Sequence, residues 1–336
     1  MEKTLAVILN FYSIIVEISG NDEEVIHRLA QEFRYFKVEE LASPLIRLNL
    51  HHEAFRPEEL PVLCAHKITQ NAIIYKLGQK RFINYHKAWS VIDDQTMKVD
   101  LYCTDKEAMF EMSYLSIHSL VGEKLEYKGL TRLHAMALET SNYQLIVMLP
   151  SRGGKSTLMT GLLEKYPHFK IISDDMPLIT LDGKIKPFPS KISLDSPPDH
   201  PLWKSLPWEK FERINYPPKW LCSVLDLPHG VSLNSPKPIL LIQGERLSSG
   251  NPMISERGFF SMMKALSTHM IIGVGLPIIL EYFLKFNLSD LGKLTMLGTR
   301  RTITAFMLCL KAKKRTLYLS PDKQKNIEML GNYLNE

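Results

Sequence analysis

Two adjacent acids, Asp174 and Asp175, close an apolar stretch that includes Ile171 and Ile172, and a lysine–serine pair, Lys155 and Ser156, precedes them by one helix length. These residue types in this order suit phosphate chemistry. A lysine ammonium can reach the outer phosphates of a nucleotide, and the neighbouring hydroxyl can ligate Mg2+. Of two carboxylates at one strand end, one can hold the metal while the other accepts or orients a hydroxyl proton. Lys155 lies in "VMLPSRGGKSTLMTGL", Val147 to Leu162, which follows the pattern G-x-x-x-x-G-K-[ST] except at its first position. Gly154, Lys155 and Ser156 fit, and Leu149 stands where the first glycine belongs.

The surrounding elements decide whether such a loop can work. Tyr143 to Leu149 is a near-continuous apolar run, the pattern of a strand buried on both faces. Ser156 to Lys165 places Leu158, Met159, Leu162 and Leu163 at helical spacing, and Pro167 ends that helix. Strand, glycine-rich turn and helix in this order bring backbone N–H groups and the positive end of the helix dipole to one point. The residues expected to line the nucleotide are Ser151, Arg152, Gly153, Gly154, Lys155, Ser156 and Thr157, with Mg2+ on Ser156, Asp174 and Asp175. Leu149 followed by Pro150 predicts a more extended exit from the strand than glycine gives. A degenerate loop that binds nothing is the competing reading. A second acidic pair, Asp93 and Asp94, sits between two alternating strand patterns and reads as a hairpin turn.

The chain of 336 residues is long enough for two domains, and 45% apolar residues can build a sizeable core. A net charge of +5, spread along the chain, suits an acidic or phosphorylated ligand and gives no basis for nucleic-acid binding. The four cysteines, Cys64, Cys103, Cys222 and Cys309, form no C-x-x-C pair, so buried thiols in a reducing cytoplasm are expected rather than a zinc site or disulfides. The apolar start lacks a basic leader. The run from His269 to Phe286 is broken by Gly273, Gly275, Pro277 and Glu281, so it reads as core and no membrane partner is expected.

An α+β unit is predicted over residues 1–125. It has strands within Thr4 to Ser19, a helix capped by Asn21, strands over Arg81 to Thr104 and a helix capped by Asp105. The charged stretch Gly122 to Arg132 is taken as the boundary, and an α/β domain over 126–336 follows. The proline-rich segment Lys186 to Trp220 cannot be one regular element and is expected as a surface loop, with a substrate-covering flap as the alternative. Ser320 and Pro321 predict the start of a terminal helix.

"GLTRLHAMALETSNYQLIVMLPSRGGKSTL…IISDDMPLI" resembles the catalytic domain of HPr kinase/phosphorylase and the related kinases. The matching pieces are His134 and Ala135, the loop to Ser156, and Asp174–Asp175; "DGKIKPFPSKISL", Asp182 to Leu194, is similar to the segment that follows in the relatives. The resemblance covers about Leu133 to Leu194. It implies a phosphoenolpyruvate carboxykinase-like P-loop kinase fold, with Asp174, Asp175, His134 and Lys155 as catalytic residues and ATP and Mg2+ as cofactors. The downstream signature of that family, E-I-R-G-L-G, has only a distant match in Glu256, Arg257 and Gly258. That departure argues against phosphorolysis and against HPr as substrate. The expected activity is transfer of the γ-phosphoryl group to a hydroxyl, foremost a serine of a peptide or small protein. A small-molecule kinase of the same fold and a nucleotide-binding peptide adaptor without transfer activity are the alternatives. The N-terminal unit would recognise the partner or build a homo-oligomer.

Overall fold

The structure, a computed structural model, describes all residues except 1–4, 40–42, 70, 151–152, 198, 214–215, 277–287 and 336. It is mixed α/β and divides into two compact units. One comprises Met1–Leu125, Phe211–Pro218 and Pro277–Asp290; the other comprises Glu126–Lys210, Lys219–Leu276 and Leu291–Glu336.

The first unit is a nine-stranded sheet with helices. Its strands are β1 (Ala6–Phe11), β2 (Ile14–Gly20), β3 (Lys37–Val38), β4 (Ile46–His51), β5 (Ala65–Ile68), β6 (Ile73–Leu77), β7 (Lys80–Asn84), β8 (Ala88–Asp93) and β9 (Lys98–Cys103). They are ordered β3-β1-β2-β4-β9-β8-β7-β6-β5, with β2–β4 and β4–β9 parallel. Period-two alternation carries Leu9, Val16, Ile18, Leu48, Val99 and Leu101 to one buried face across this register. Helix α1 (Glu23–Glu32) is capped by Asp22, not Asn21: Asp22 Oδ1 accepts from the Val25 N–H at 3.0 Å, three residues on, where a capping carboxylate reaches. Asn21 is instead engaged by the His52 N–H at 2.7 Å. Helix α2 (Lys106–Tyr127) has the expected Asp105 contact, to the Ala108 N–H at 3.1 Å. Asp93 holds the β8–β9 turn through the Gln95 and Thr96 N–H groups, while Asp94 pairs with buried Arg81 at 2.7 Å.

The second unit contains β10 (Leu130–Arg132), β11 (Met136–Glu139), β12 (Gln144–Met148), α3 (Lys155–Lys165), β13 (Lys170–Ser173), β14 (Leu178–Thr180), β15 (Ile185–Lys186) and β16 (Lys191–Leu194). Then come α4 (Pro201–Lys204), β17 (Glu209–Phe211), β18 (Lys219–Ser223), β19 (Ile239–Arg246), β20 (Met253–Glu256), α5 (Phe259–Leu266), α6 (Leu288–Lys311), β21 (Lys313–Leu319) and α7 (Lys323–Asn335). The central sheet runs β13-β11-β12-β19-β21-β20. Strands β12, β19 and β21 are parallel, and β11 lies antiparallel to both β12 and β13, so β13 shares the direction of β12. Helix α3 therefore crosses over β11.

Strand β12 is buried on both faces, as its apolar run predicts. Leu145, Val147 and the following Leu149 join a core with Leu158, Met159 and Leu162 of α3 and Ile327 and Leu330 of α7. Ile146 and Met148 join the opposite core with Met262 of α5 and Ala305 and Leu308 of α6.

Several expectations change here. The proline-rich segment supplies β16, α4, β17 and β18, and its Trp203 is fully buried in the α3-side core, so it is a packed layer and not a loop lying on the surface. The charged stretch Gly122 to Arg132 contains the division between the units, at Leu125 and Glu126, yet Glu126 and Arg132 within it are buried and bond at 3.0 Å. The terminal helix starts later than Ser320–Pro321 suggests, with Asp322 Oδ1 accepting from the Gln324 N–H at 3.0 Å. In the His269 to Phe286 run, His269, Met270 and Leu276 are buried, Ile272 and Val274 are exposed, and 277–287 lie outside the described residues. Among the described residues no helix is long and apolar enough to cross a membrane.

Candidate functional site

The loop leaves β12 at Leu149, the residue that replaces the first glycine. Its side chain is buried against Gly244 of β19, where a Cβ would come within 2.2 Å of Leu149 Cδ2. The missing glycine is thus matched by a glycine on the next strand. The two remaining loop glycines are required by space and backbone. A Cβ on Gly153 would lie 2.6 Å from Pro150 O, and Gly154 sits at φ +93 as the N-cap of α3. Ser151 and Arg152 lie outside the described residues.

Lys155 opens α3 and its side chain turns back over the loop. Its ammonium lies 2.7 Å from His134 Nε2, 3.2 Å from Asp175 Oδ1 and 3.4 Å from Leu149 O. The next side chain, Ser156, donates to Asp174 Oδ2 at 3.3 Å. Thr157 is half-buried in the first turn.

The sheet explains how these groups meet. Both acids follow β13, at the same sheet edge where β12 ends and the antiparallel β11 begins. Immediately before β11, the Ala135 N–H bonds to Asp175 O at 3.1 Å, and this places His134 beside the carboxylate, with Nε2 3.3 Å from Asp175 Oδ1. His134 Nδ1 lies 2.6 Å from Val274 O. A carbonyl only accepts, so Nδ1 carries the proton, and the Nε2 lone pair accepts from Lys155. The result is a chain of hydrogen bonds from Val274 O through the imidazole and the ammonium to Asp175.

The two acids have different surroundings. Asp174 is 3% exposed, and among the described residues its buried Oδ1 has no hydrogen-bond partner. Burial, then the charge of Asp175, raises its pKa to about 7 against the pull of Lys155 and Ser156. The Asp175 side chain is 45% exposed. Burial acts to raise its pKa as well, but His134 and Lys155 outweigh it and hold the carboxyl below the usual carboxylate range. Of the two, Asp175 gives up its proton first.

Sequence reasoning missed three contributors. His269 lies with its ring 5.7 Å from that of His134, and its carbonyl accepts the His134 N–H at 3.0 Å. Burial, then the neighbouring His134 and Lys155, lowers its pKa to about 4, so it stays neutral. Val274 and Gly275 form the wall behind His134, and a Cβ on Gly275 would lie 2.1 Å from His134 Cε1. Arg246, the last residue of β19, brings Nη2 to 3.9 Å from the Cβ position of Gly154. The signals were the paired glycines Gly273 and Gly275 in an apolar run, and a basic residue closing a parallel strand. Other basic residues of this region are occupied elsewhere: Lys184 pairs with Asp182, Lys186 with Asn234, Lys191 with Glu209, and Arg257 with Glu245 and Thr316. Among the described residues no three His, Cys, Asp or Glu side chains group as a metal site, so any cation here would draw on two carboxylates and a hydroxyl.

No protein-family model matches the chain, and no curated protein matches it.

Proposed function

We propose that the chain is an ATP- and Mg2+-dependent phosphotransferase that moves a γ-phosphoryl group to a hydroxyl, with a serine of a peptide or small protein as the acceptor. The fold assigned to the second unit is that of the phosphoenolpyruvate carboxykinase-like P-loop kinases. The observation that carries this reading is the convergence of Lys155, His134 and Asp175 within 3.3 Å at the start of α3, with Ser156 beside Asp174.

Each side chain suits one task. Lys155 and the N–H groups opening α3 neutralise charge on the transferring phosphoryl group. Asp175, ionised and partly exposed, accepts the proton of the attacking hydroxyl as the bridging oxygen–phosphorus bond of the nucleotide breaks. His134 holds Lys155 and Asp175 in register. The unpartnered Oδ1 of Asp174 and the Ser156 hydroxyl fit a divalent cation, which would supply further charge neutralisation when bound. Binding would also draw the proton from Asp174. The first unit is assigned acceptor recognition or self-association.

Thermal unfolding with and without Mg-ATP, on the wild type and on Lys155→Ala, tests the site. Nucleotide at 100 times its Kd raises wild-type stability by about 2.7 kcal/mol, and Lys155→Ala loses the rise. Labelled phosphate should then appear on serine peptides with the wild type and not with Asp175→Asn. Absence of any nucleotide-dependent shift at millimolar concentration sinks the proposal; binding without transfer to any hydroxyl leaves the adaptor reading.

A further inference from the structure

His134 is held from behind by one short segment. The segment contains a π-helix, Ser267–Ile272, that ends at Gly273 in the left-handed region, φ +76. It gives His134 three contacts: His269 O to its N–H, Val274 O to Nδ1, and the bare face of Gly275 against its ring. A π-turn is widened by one residue and is often found at functional sites. Its last carbonyls, at the helix end, have no helical donor. The Leu276 N–H bonds to Gly273 O at 3.1 Å instead of continuing the π pattern to Ile271 O. Ile271 O accepts from Arg301 Nη1 at 2.7 Å.

Arg301 is buried and reaches Ile271 from α6. Its Nε and Nη2 fork onto Glu126 Oε2 at 3.0 and 2.7 Å. Arg132 already pairs with the same carboxylate through Oε1 at 3.0 Å. What the second guanidinium adds is the link from a fixed anchor to the free carbonyl of the π-turn. Arg300, beside it, donates to Glu126 O at 3.4 Å and to Tyr127 O, which ties α6 to the end of α2.

We propose that Arg301 is a positioning residue: by clamping Ile271 O to the buried Glu126 carboxylate, it fixes the π-turn and so the placement of His134 against Lys155 and Asp175. This rests on the kinase reading for its catalytic consequence, but the placement of His134 can be read without turnover. A misplacement near 1 Å is enough to cost about 100-fold in rate.

The test compares the wild type with Arg301→Met and Arg301→Lys in the full chain. Lysine keeps a positive charge at Glu126, so that variant retains the fold if methionine does not, yet one ammonium cannot hold Glu126 and Ile271 O together. The first readout is the downfield Nδ1 proton of His134 in the nucleotide-free protein, assigned by its loss in His134→Asn. The bond to Val274 O protects it in the wild type, and Arg301→Lys should speed its exchange with water at least about 10-fold. The second is phosphoryl transfer, where kcat should fall about 10- to 100-fold with the KM for Mg-ATP within about 3-fold. A His134 proton as slow to exchange in a folded Arg301→Lys as in the wild type overturns the assignment whatever the turnover. If the wild type transfers no phosphate, the kinase reading fails while the proton readout still decides the role of Arg301.

Discussion

Asp174→Asn, in metal-free buffer, should stabilise the protein, and the gain should depend on pH. Burial, then the neighbouring Asp175 charge, moves the Asp174 carboxyl from an ordinary 3.8 to about 7. A carboxyl raised in the folded state keeps its proton between these values while the unfolded chain has lost it. The stability it contributes is therefore full below about pH 4 and is lost as pH rises to about 7. At about 1.4 kcal/mol per pH unit, the gap sets a ceiling of about 4 kcal/mol above pH 7. Relaxation around the coupled pair reduces the working figure to about 1–3 kcal/mol. Asparagine keeps the shape and an acceptor for Ser156 and removes the charge. For a unit of this size about 1 kcal/mol moves the midpoint by about 2–4 °C, so the midpoint at pH 8 should rise by about 2–12 °C. The gain at pH 5 should be roughly a third of that, since only part of the gap has opened. Calorimetry at both pH values in EDTA checks it. An equal gain at pH 5 and pH 8, or none at pH 8, would refute the placement of a destabilised carboxyl at this position.

Asp175→Asn should abolish phosphoryl transfer while leaving nucleotide affinity within about threefold, measured by calorimetric titration; retained turnover would remove Asp175 as the proton acceptor. Leu149→Gly restores the usual loop pattern but empties the space over Gly244, and should destabilise by about 3–5 kcal/mol in urea, where a neutral result would show that the leucine does not fill the core. Glu126→Gln leaves two buried guanidiniums facing a neutral amide and should cost about 3–5 kcal/mol. A cost under about 1 kcal/mol would mean that water reaches the cluster.

The line from Tyr143 to Asp175 was legible because its signals are local. An apolar run, two glycines, a helical spacing and a proline stop each read out over a few residues, and β12, α3 and β13 formed where those patterns lie. Leu149 was legible as a departure but not as a solution, because its complement, Gly244, is distant in sequence and marked by nothing but its size. The burial of Glu126 and Arg132 was hidden for the same reason, because Arg301, which joins them, is brought in by a distant helix. The cap of α1 shifted by one residue because Asn21 and Asp22 are both capable acceptors, and the His52 N–H takes the first. Gly273, Gly275 and the basic end of β19 were visible in the sequence, but the roles of His269, Val274 and Arg246 depend on which strand end or turn the fold brings against His134 and the loop.

Strand β11 acts as a spacer. Neighbouring strands sit about 4.8 Å apart, so inserting one antiparallel strand between β12 and β13 holds the loop and the acidic pair about 10 Å apart, centre to centre. The Lys155 side chain spans that gap to reach Asp175 Oδ1 at 3.2 Å, and the gap is wide enough to admit a third group. The chain feeding β11 enters through it and delivers His134 there. Deleting β11 would do more than narrow the sheet: it would take His134 out of its place beside the lysine and the acids.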